Sequence, residues 1–179
     1  MIGVLATEAE LRAWGRRIGA EIAAPVFIGL RGPLGAGKSV LARAVAGGAG
    51  VRECLPSPTF NIVFRYSLAG GGSACGAVAD GARGDVAGGA SGSAASVVHA
   101  DLFRLRSVEE LGGIGWDDLV DDEGAIVLVE WPERAGGELP ADRWEVTLGH
   151  SELDPGLRTV EVQRHGDPSA LPAFPVGVA

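Results

Sequence analysis

Cysteine is scarce and basic residues are outnumbered, and each shortage removes a class of protein. The only cysteines among 179 residues are Cys54 and Cys75. They lie far apart, without His or Cys neighbours at metal-ligand spacing, so neither a zinc site nor a disulfide framework is expected, and a reducing, cytoplasmic setting fits. Lys and Arg number 15 against 23 Asp and Glu, a formal net charge of -8. Coating nucleic acid by charge alone needs clustered Lys and Arg, so any RNA contact is expected to be local or made through a partner. No stretch approaches the roughly 20 apolar residues of a membrane span. Glu8 and Glu10 precede a broken apolar pattern, where a secretory leader would show a basic patch and an uninterrupted apolar run.

Apolar residues make up 46% of the chain, enough for one substantial core and too little length for two ordinary domains. A single domain over residues 1–166 is expected. Leu11, Trp14, Ile18 and Ile22 recur at helical spacing after Thr7, a candidate cap with Glu10 three residues on, and predict an amphipathic helix over 7–23. Pro25 ends it. Residues 26–31 form a short apolar run of strand length, and residues 41–46 continue as a helix that Gly47 and Gly48 should stop. Residues 69–95 consist almost entirely of Gly, Ala and Ser, with too little apolar side chain to offset the entropy of ordering them. This segment reads as a flexible insertion between strands at 61–66 and 96–101, the connection of a hairpin.

Ser107 starts a helix with Glu109 and Glu110 in its first turn, and a second short helix runs from Trp116 to Val120. Residues 125–129 are a continuous apolar run ending on Glu130, the pattern of a strand buried on both faces with a polar group at its carboxyl end. Residues 143–148 and 158–162 alternate apolar and polar around Asp154-Pro155-Gly156 and predict a closing antiparallel hairpin. After Gly166 the chain is rich in Pro and Ala, and 167–179 reads as a disordered or loosely packed tail.

Between the strand at 26–31 and the helix after it stands Gly32-Pro33-Leu34-Gly35-Ala36-Gly37-Lys38-Ser39. This is a phosphate loop in its required strand-to-helix context. Gly35 and Gly37 let backbone amides turn inward around phosphates, and the helix presents its N-terminus to the same anion. Lys38 reaches the terminal phosphates, while the Ser39 hydroxyl suits a magnesium ion bridging phosphate oxygens. ATP and magnesium are therefore the expected cofactors. A second acidic group should hold the metal or orient water, and Asp101 and Glu130, each ending an apolar run, are the candidates.

Four further segments accompany the loop: Ser57-Pro58-Thr59-Phe60, His99-Ala100-Asp101-Leu102-Phe103-Arg104, Leu128-Val129-Glu130-Trp131-Pro132 and Glu133-Arg134. In order and spacing, apart from the insertion, the chain from about Thr7 to about Val162 resembles the TsaE (YjeE) family. The resemblance implies an ATPase subunit of the bacterial machinery that makes threonylcarbamoyladenosine at position 37 of tRNA, acting beside TsaB and TsaD. It also implies Ser39 and Glu130 as the magnesium-associated pair, Asp101 near the terminal phosphate in hydrolysis together with Lys38, and Thr59 in a switch-like loop. The expected nucleotide contacts are Gly32 to Ser39 together with Val40, Thr59 and Trp131; Thr7 and Glu8 lie near the adenine by family analogy alone. Val40 departs from the family, which commonly carries a second Thr there, and removes a hydroxyl available to a phosphate oxygen.

Placed around the loop, these elements predict an α/β, P-loop NTPase-like three-layer fold with a mostly parallel central sheet, flanking helices and a C-terminal antiparallel hairpin. His99 reads as a hydrogen-bonded structural residue outside the catalytic set. Trp131 reads as core packing, a nucleotide contact or a partner surface, and Arg104 and Arg134 as solvated charges or as phosphate and partner contacts. Two rival functions share the loop. A small-molecule kinase usually needs an Arg-bearing lid, and the insertion holds only Arg83 as a basic residue. A nucleotide-switched binding module would use ATP to order the loop around Thr59.

Overall fold

A strand that is apolar on both faces can be buried only where layers cover it on either side, and residues 26–31, 96–101 and 125–130 all have that character. The computed structural model describes residues 4–51, 62–68, 76–77 and 94–174. In chain order these form β1 (Val4–Thr7), α1 (Glu8–Glu21), β2 (Val26–Arg31), α2 (Lys38–Gly48), β3 (Val63–Ser67), the two-residue β4 (Gly76–Ala77) and β5 (Ser96–Asp101). A 3-10 helix at Val108–Ile114, α3 (Trp116–Val120) and β6 (Ala125–Glu130) come next, then a 3-10 turn at Pro132–Ala135, β7 (Arg143–His150) and β8 (Leu157–His165). One sheet runs β1-β8-β7-β2-β6-β5-β3-β4. Its centre, β7-β2-β6-β5, is parallel, and its flanks are antiparallel.

Thr7 and Glu10 close a reciprocal capping box that starts α1, each side chain satisfying a backbone amide that helix geometry leaves unpaired. Leu11, Trp14 and Ile18 then pack with Leu41 and Val45 of α2 onto Ile28, Leu30, Ile126 and Leu128. On the opposite face Phe27, Val98, Val127 and Val129 are covered by Leu105, Leu111, Trp116 and Leu119. The result is the expected three-layer α/β fold, with β7 and β8 as the closing hairpin. β3 and β5 also pair antiparallel, from Val63 opposite Ala100 to Ser67 opposite Ser96.

Several local expectations are corrected. α2 passes through Gly47 to Gly48, and the missing Cβ of Gly48 lets α1 pack close, since a Cβ there would lie 2.1 Å from Arg16 O. The helix expected from Ser107 is a 3-10 helix without a side-chain cap; Gly112 and Gly113 within it disfavour α-helix. β1 was not legible in the sequence: four residues become a strand only by pairing with β8. The start of the tail is not loose. Trp144 Nε1 donates to Ser169 O at 2.9 Å and Trp14 Nε1 to Pro172 O at 2.8 Å. Phe174 meets Trp14 edge-on with centroids 5.0 Å apart. Two indole N–H groups needing acceptors hold this strap in place. Of the segment 69–95, Gly76–Ala77 pairs with β3 and residues 94–95 lead into β5; the remainder lies outside the described residues.

Candidate nucleotide site

β2 ends at Arg31, and the chain must then turn sharply beneath β7. Gly32 has φ +126°, and a Cβ there would lie 2.0 Å from Leu148 O, so both conformation and space require glycine. Gly35 (φ +79°) and Gly37 (φ +107°) continue the turn. The loop's rim carries exposed Leu34, whose carbonyl lies 3.3 Å from His150 Nε2 at the end of β7. α2 begins at Lys38, so the amides of its first turn have no helical partner and face the loop.

Arg31 anchors the base of this loop. Its Nε bonds Glu145 Oε2 at 2.5 Å and its guanidinium lies 3.7 Å from Glu133; Glu145 also accepts from Arg143 at 2.8 Å. Burial pushes the Glu145 carboxyl up, but bonding to Arg31 and Arg143 more than reverses this and holds it below its ordinary value. A depressed folded pKa stabilises above the unfolded value of 4.5, and that contribution is lost as pH falls through the lower folded value. Glu145→Gln is therefore expected to cost about 1–3 kcal/mol at neutral pH, the lower end reflecting the partial exposure of Arg31. Urea titrations from pH 7 downward should show a flatter acid limb in the variant, the difference developing below pH 4.5.

Lys38 is 4% exposed. Its Nζ donates to Gly32 O at 2.6 Å and Pro33 O at 2.9 Å and sits 3.9 Å from the centre of the Trp131 ring. Burial lowers its pKa, against the opposing pull of Glu130, Asp101 and Glu133. Trp131 reaches it through an uncommon backbone, φ +59° and ψ 48°, the left-handed region that bulky residues rarely adopt. That geometry is imposed from both sides, since Trp131 N donates to Leu30 O at 3.1 Å and Pro132 starts the following 3-10 turn. Phe103 packs on the same ring with centroids 5.1 Å apart.

Glu130 ends β6 and is 2% exposed. Its Oε2 accepts from Ser39 Oγ at 3.0 Å, and its Oε1 lies 2.8 Å from His99 Nε2. Asp101, at the end of β5, is directly opposite Glu130 in the parallel register, and its Oδ1 accepts from Phe103 N at 2.9 Å. Burial raises the Asp101 pKa, the Phe103 amide opposes this, and the charge of Glu130 adds to the rise. The loop Gly32 to Ser39, with Val40 in the first turn of α2, thus converges with Asp101, Glu130 and Trp131 at the carboxyl ends of β2, β5 and β6, where open α/β sheets bind ligands. Arg134 stays at the margin, its guanidinium 3.5 Å from Leu105 O. The Thr7 side chain is committed to its capping box, and Glu8 pairs with Arg12. Thr59 lies outside the described residues.

Two participants are not legible as such in the sequence. Glu133 contributes to the field at Lys38, and His99 bonds Glu130 directly. The available signal for His99 was its place two residues before Asp101, which puts both on one face of β5.

Comparison with known proteins gives a consistent picture. The family model described as threonylcarbamoyl adenosine biosynthesis protein TsaE matches residues 5–77 and 88–159. The tRNA threonylcarbamoyladenosine biosynthesis protein TsaE of Treponema pallidum is 28% identical over 83% of this chain and 90% of its own length. Its namesake in Streptomyces coelicolor is 29% identical over 87% and 86%. That of Mycobacterium tuberculosis is 30% identical over 75% and 70%. Among solved structures, YdiB of Bacillus subtilis superposes with a TM-score of 0.58 over 93% of this chain and 89% of that one, at 18% identity, a likeness of fold.

Proposed function

The chain belongs to the TsaE family, and from that membership and the geometry of its loop we propose that it binds and hydrolyses ATP as a subunit serving the threonylcarbamoylation of tRNA adenosine. TsaB and TsaD proteins are its partners in this reading, tRNA is reached through the complex, and the setting is the cytoplasm. The observation that carries it is the 3.0 Å contact between Ser39 Oγ and Glu130 Oε2. This contact brings the hydroxyl at the start of a phosphate-loop helix against a carboxylate at the end of the neighbouring strand. Hydroxyl and carboxylate oxygens are hard donors of the kind magnesium accepts beside phosphates and water, so the residues present fit that ion. Ser39 and Glu130 would hold the ion, and when bound it would supply positive charge that offsets the charge of the phosphates.

The chain's own groups do the rest. The first-turn amides of α2 and the glycine-turned loop receive the phosphates, with Pro33, Leu34 and Ala36 contributing backbone. Lys38 Nζ exchanges its bonds to Gly32 O and Pro33 O for oxygens of the terminal phosphates. Trp131 excludes water from one side of that ammonium. Asp101 has Oδ1 committed to Phe103 N, which leaves Oδ2 to take a hydrogen bond from the attacking water and orient it toward the terminal phosphorus. A carboxylate whose pKa is raised by burial, as at Asp101, accepts a proton more readily than one at its ordinary value.

Reconstitution tests the reading: TsaB and TsaD proteins, tRNA, a threonylcarbamoyl donor and ATP, with and without this chain. Repeated rounds of tRNA modification should require it and should consume ATP, while equal turnover without it would end the proposal. A phosphorylated small molecule formed from ATP would point to a kinase instead.

Asp101→Asn should separate function from stability. The folded Asp101 carboxyl holds its proton more readily than the unfolded one, so its ionisation costs stability as pH rises above 3.8. At neutral pH the cost is present, and removing the charge should raise the melting temperature while lowering hydrolysis by about 10²–10⁴-fold. Thermal unfolding and a phosphate-release assay on one preparation check both signs.

A further inference from the structure

We infer that His99 is a positioning residue that locks the Glu130 carboxylate for metal coupling, an inference that rests on the proposed magnesium–ATP site. Glu130 divides its two oxygens between two elements. Oε2 meets Ser39 of α2 at 3.0 Å and Oε1 meets His99 of β5 at 2.8 Å. Both Glu130 and His99 are buried, at 2% and 1% exposure, so this bond is made where no water competes for it.

The chemistry of the ring fixes its direction. A carboxylate oxygen only accepts, so Nε2 must carry the proton and donate. Among the described residues the other ring nitrogen, Nδ1, has no hydrogen-bond partner, and a buried polar atom left unpaired carries a cost. Phe64 opposite His99 and Leu128 beside it are apolar, and an apolar residue at position 99 would carry no such cost. What only the imidazole supplies at this depth is the bond to Glu130 Oε1. With Oε1 held, the carboxylate plane is fixed and Oε2 alone faces Ser39 Oγ. Partners that orient a ligating carboxylate in this way typically set metal affinity by about 10–100-fold.

Two amide substitutions isolate the bond. Glutamine places its amide nitrogen near the position of Nε2 and can still donate to Glu130, whereas asparagine reaches only as far as Nδ1. ATP binding to the full chain is measured calorimetrically with and without added magnesium chloride, together with melting temperature. The gain in ATP affinity from magnesium is expected to fall by about 10-fold or more in His99→Asn and to be retained in His99→Gln. In a Glu130→Gln background, His99→Asn should produce no further loss, because the two residues act as one unit.

Undiminished magnesium coupling in His99→Asn overturns the inference, and so does a full additional loss on top of Glu130→Gln. If His99→Asn fails to fold, His99→Gln decides: retained coupling supports the role, and lost coupling at an unchanged melting temperature overturns it. An intact chain that binds no ATP sinks the site reading and this inference with it, whereas intact coupling indifferent to His99 sinks the inference alone.

Discussion

Lys38→Ala is expected to lower ATP hydrolysis by about 10²–10³-fold, the range for removing one preorganised charge-stabilising donor from a site, and to end ATP-dependent turnover in the reconstituted system. The size follows from where the ammonium sits. It is 4% exposed and held between two loop carbonyls and the Trp131 ring, so little reorganisation is needed when phosphate oxygens replace those carbonyls. Three carboxylates, Glu130, Asp101 and Glu133, act on the same charge. In Lys38→Ala they face incoming phosphates without the ammonium that offsets them, and affinity for ATP should fall along with the rate. Lys38→Arg should not restore activity: a planar fork needs room that Trp131 and the loop do not leave, and it is not interchangeable with a compact ammonium. Phosphate release and calorimetric ATP binding check these outcomes. A Lys38→Ala chain that supports repeated tRNA modification at the intact rate would refute a hydrolysis-dependent role.

The parts of this site that were legible in the sequence are those built from local rules. Gly32 to Ser39 declares itself because positive φ and close backbone approach both demand glycine at fixed positions. The start of α1 is written in Thr7 and Glu10, three residues apart, and β6 in an apolar run that ends on Glu130. Longer-range features were not legible. Four residues of β1 become a strand only against β8. The strap through Phe174 depends on Trp14 and Trp144, whose indole N–H groups find acceptors far along the chain. The left-handed backbone of Trp131 has no local signal, since the residue type disfavours it and the constraint comes from Leu30 and Pro132. His99 is legible in the sequence only as a structural residue, because a single histidine in an apolar strand does not reveal which carboxylate the neighbouring strand will bring beside it.

The second large effect tests the platform on which the loop rests. Gly19→Ala is expected to destabilise the protein by about 3 kcal/mol or more, the upper part of the range for overpacking, although alanine is favoured over glycine within a helix by about 1 kcal/mol. Space decides the sign. A Cβ on Gly19 would lie 1.9 Å from Val45 O, 2.5 Å from Ala49 N and 2.9 Å from Gly48 C. All three are backbone atoms, which cannot rotate aside, so α1 and α2 must separate. Trp14, Ile18, Leu41 and Val45 would lose part of their contact in the same step. For a domain of this size the melting temperature should fall by about 6–12 °C. Gly47→Ala is the control: nothing lies within 4 Å of its Cβ position and it is helical, so it should stabilise by about 0.5–1 kcal/mol. Because α2 begins at Lys38 and carries Ser39 in its first turn, moving α2 displaces the phosphate-binding amides as well. Gly19→Ala should therefore weaken ATP binding from a position that touches no part of the site, while Gly47→Ala leaves it unchanged. Paired melting curves and ATP titrations of the two variants measure this, and a Gly19→Ala protein as stable as the parent would contradict the close helix contact.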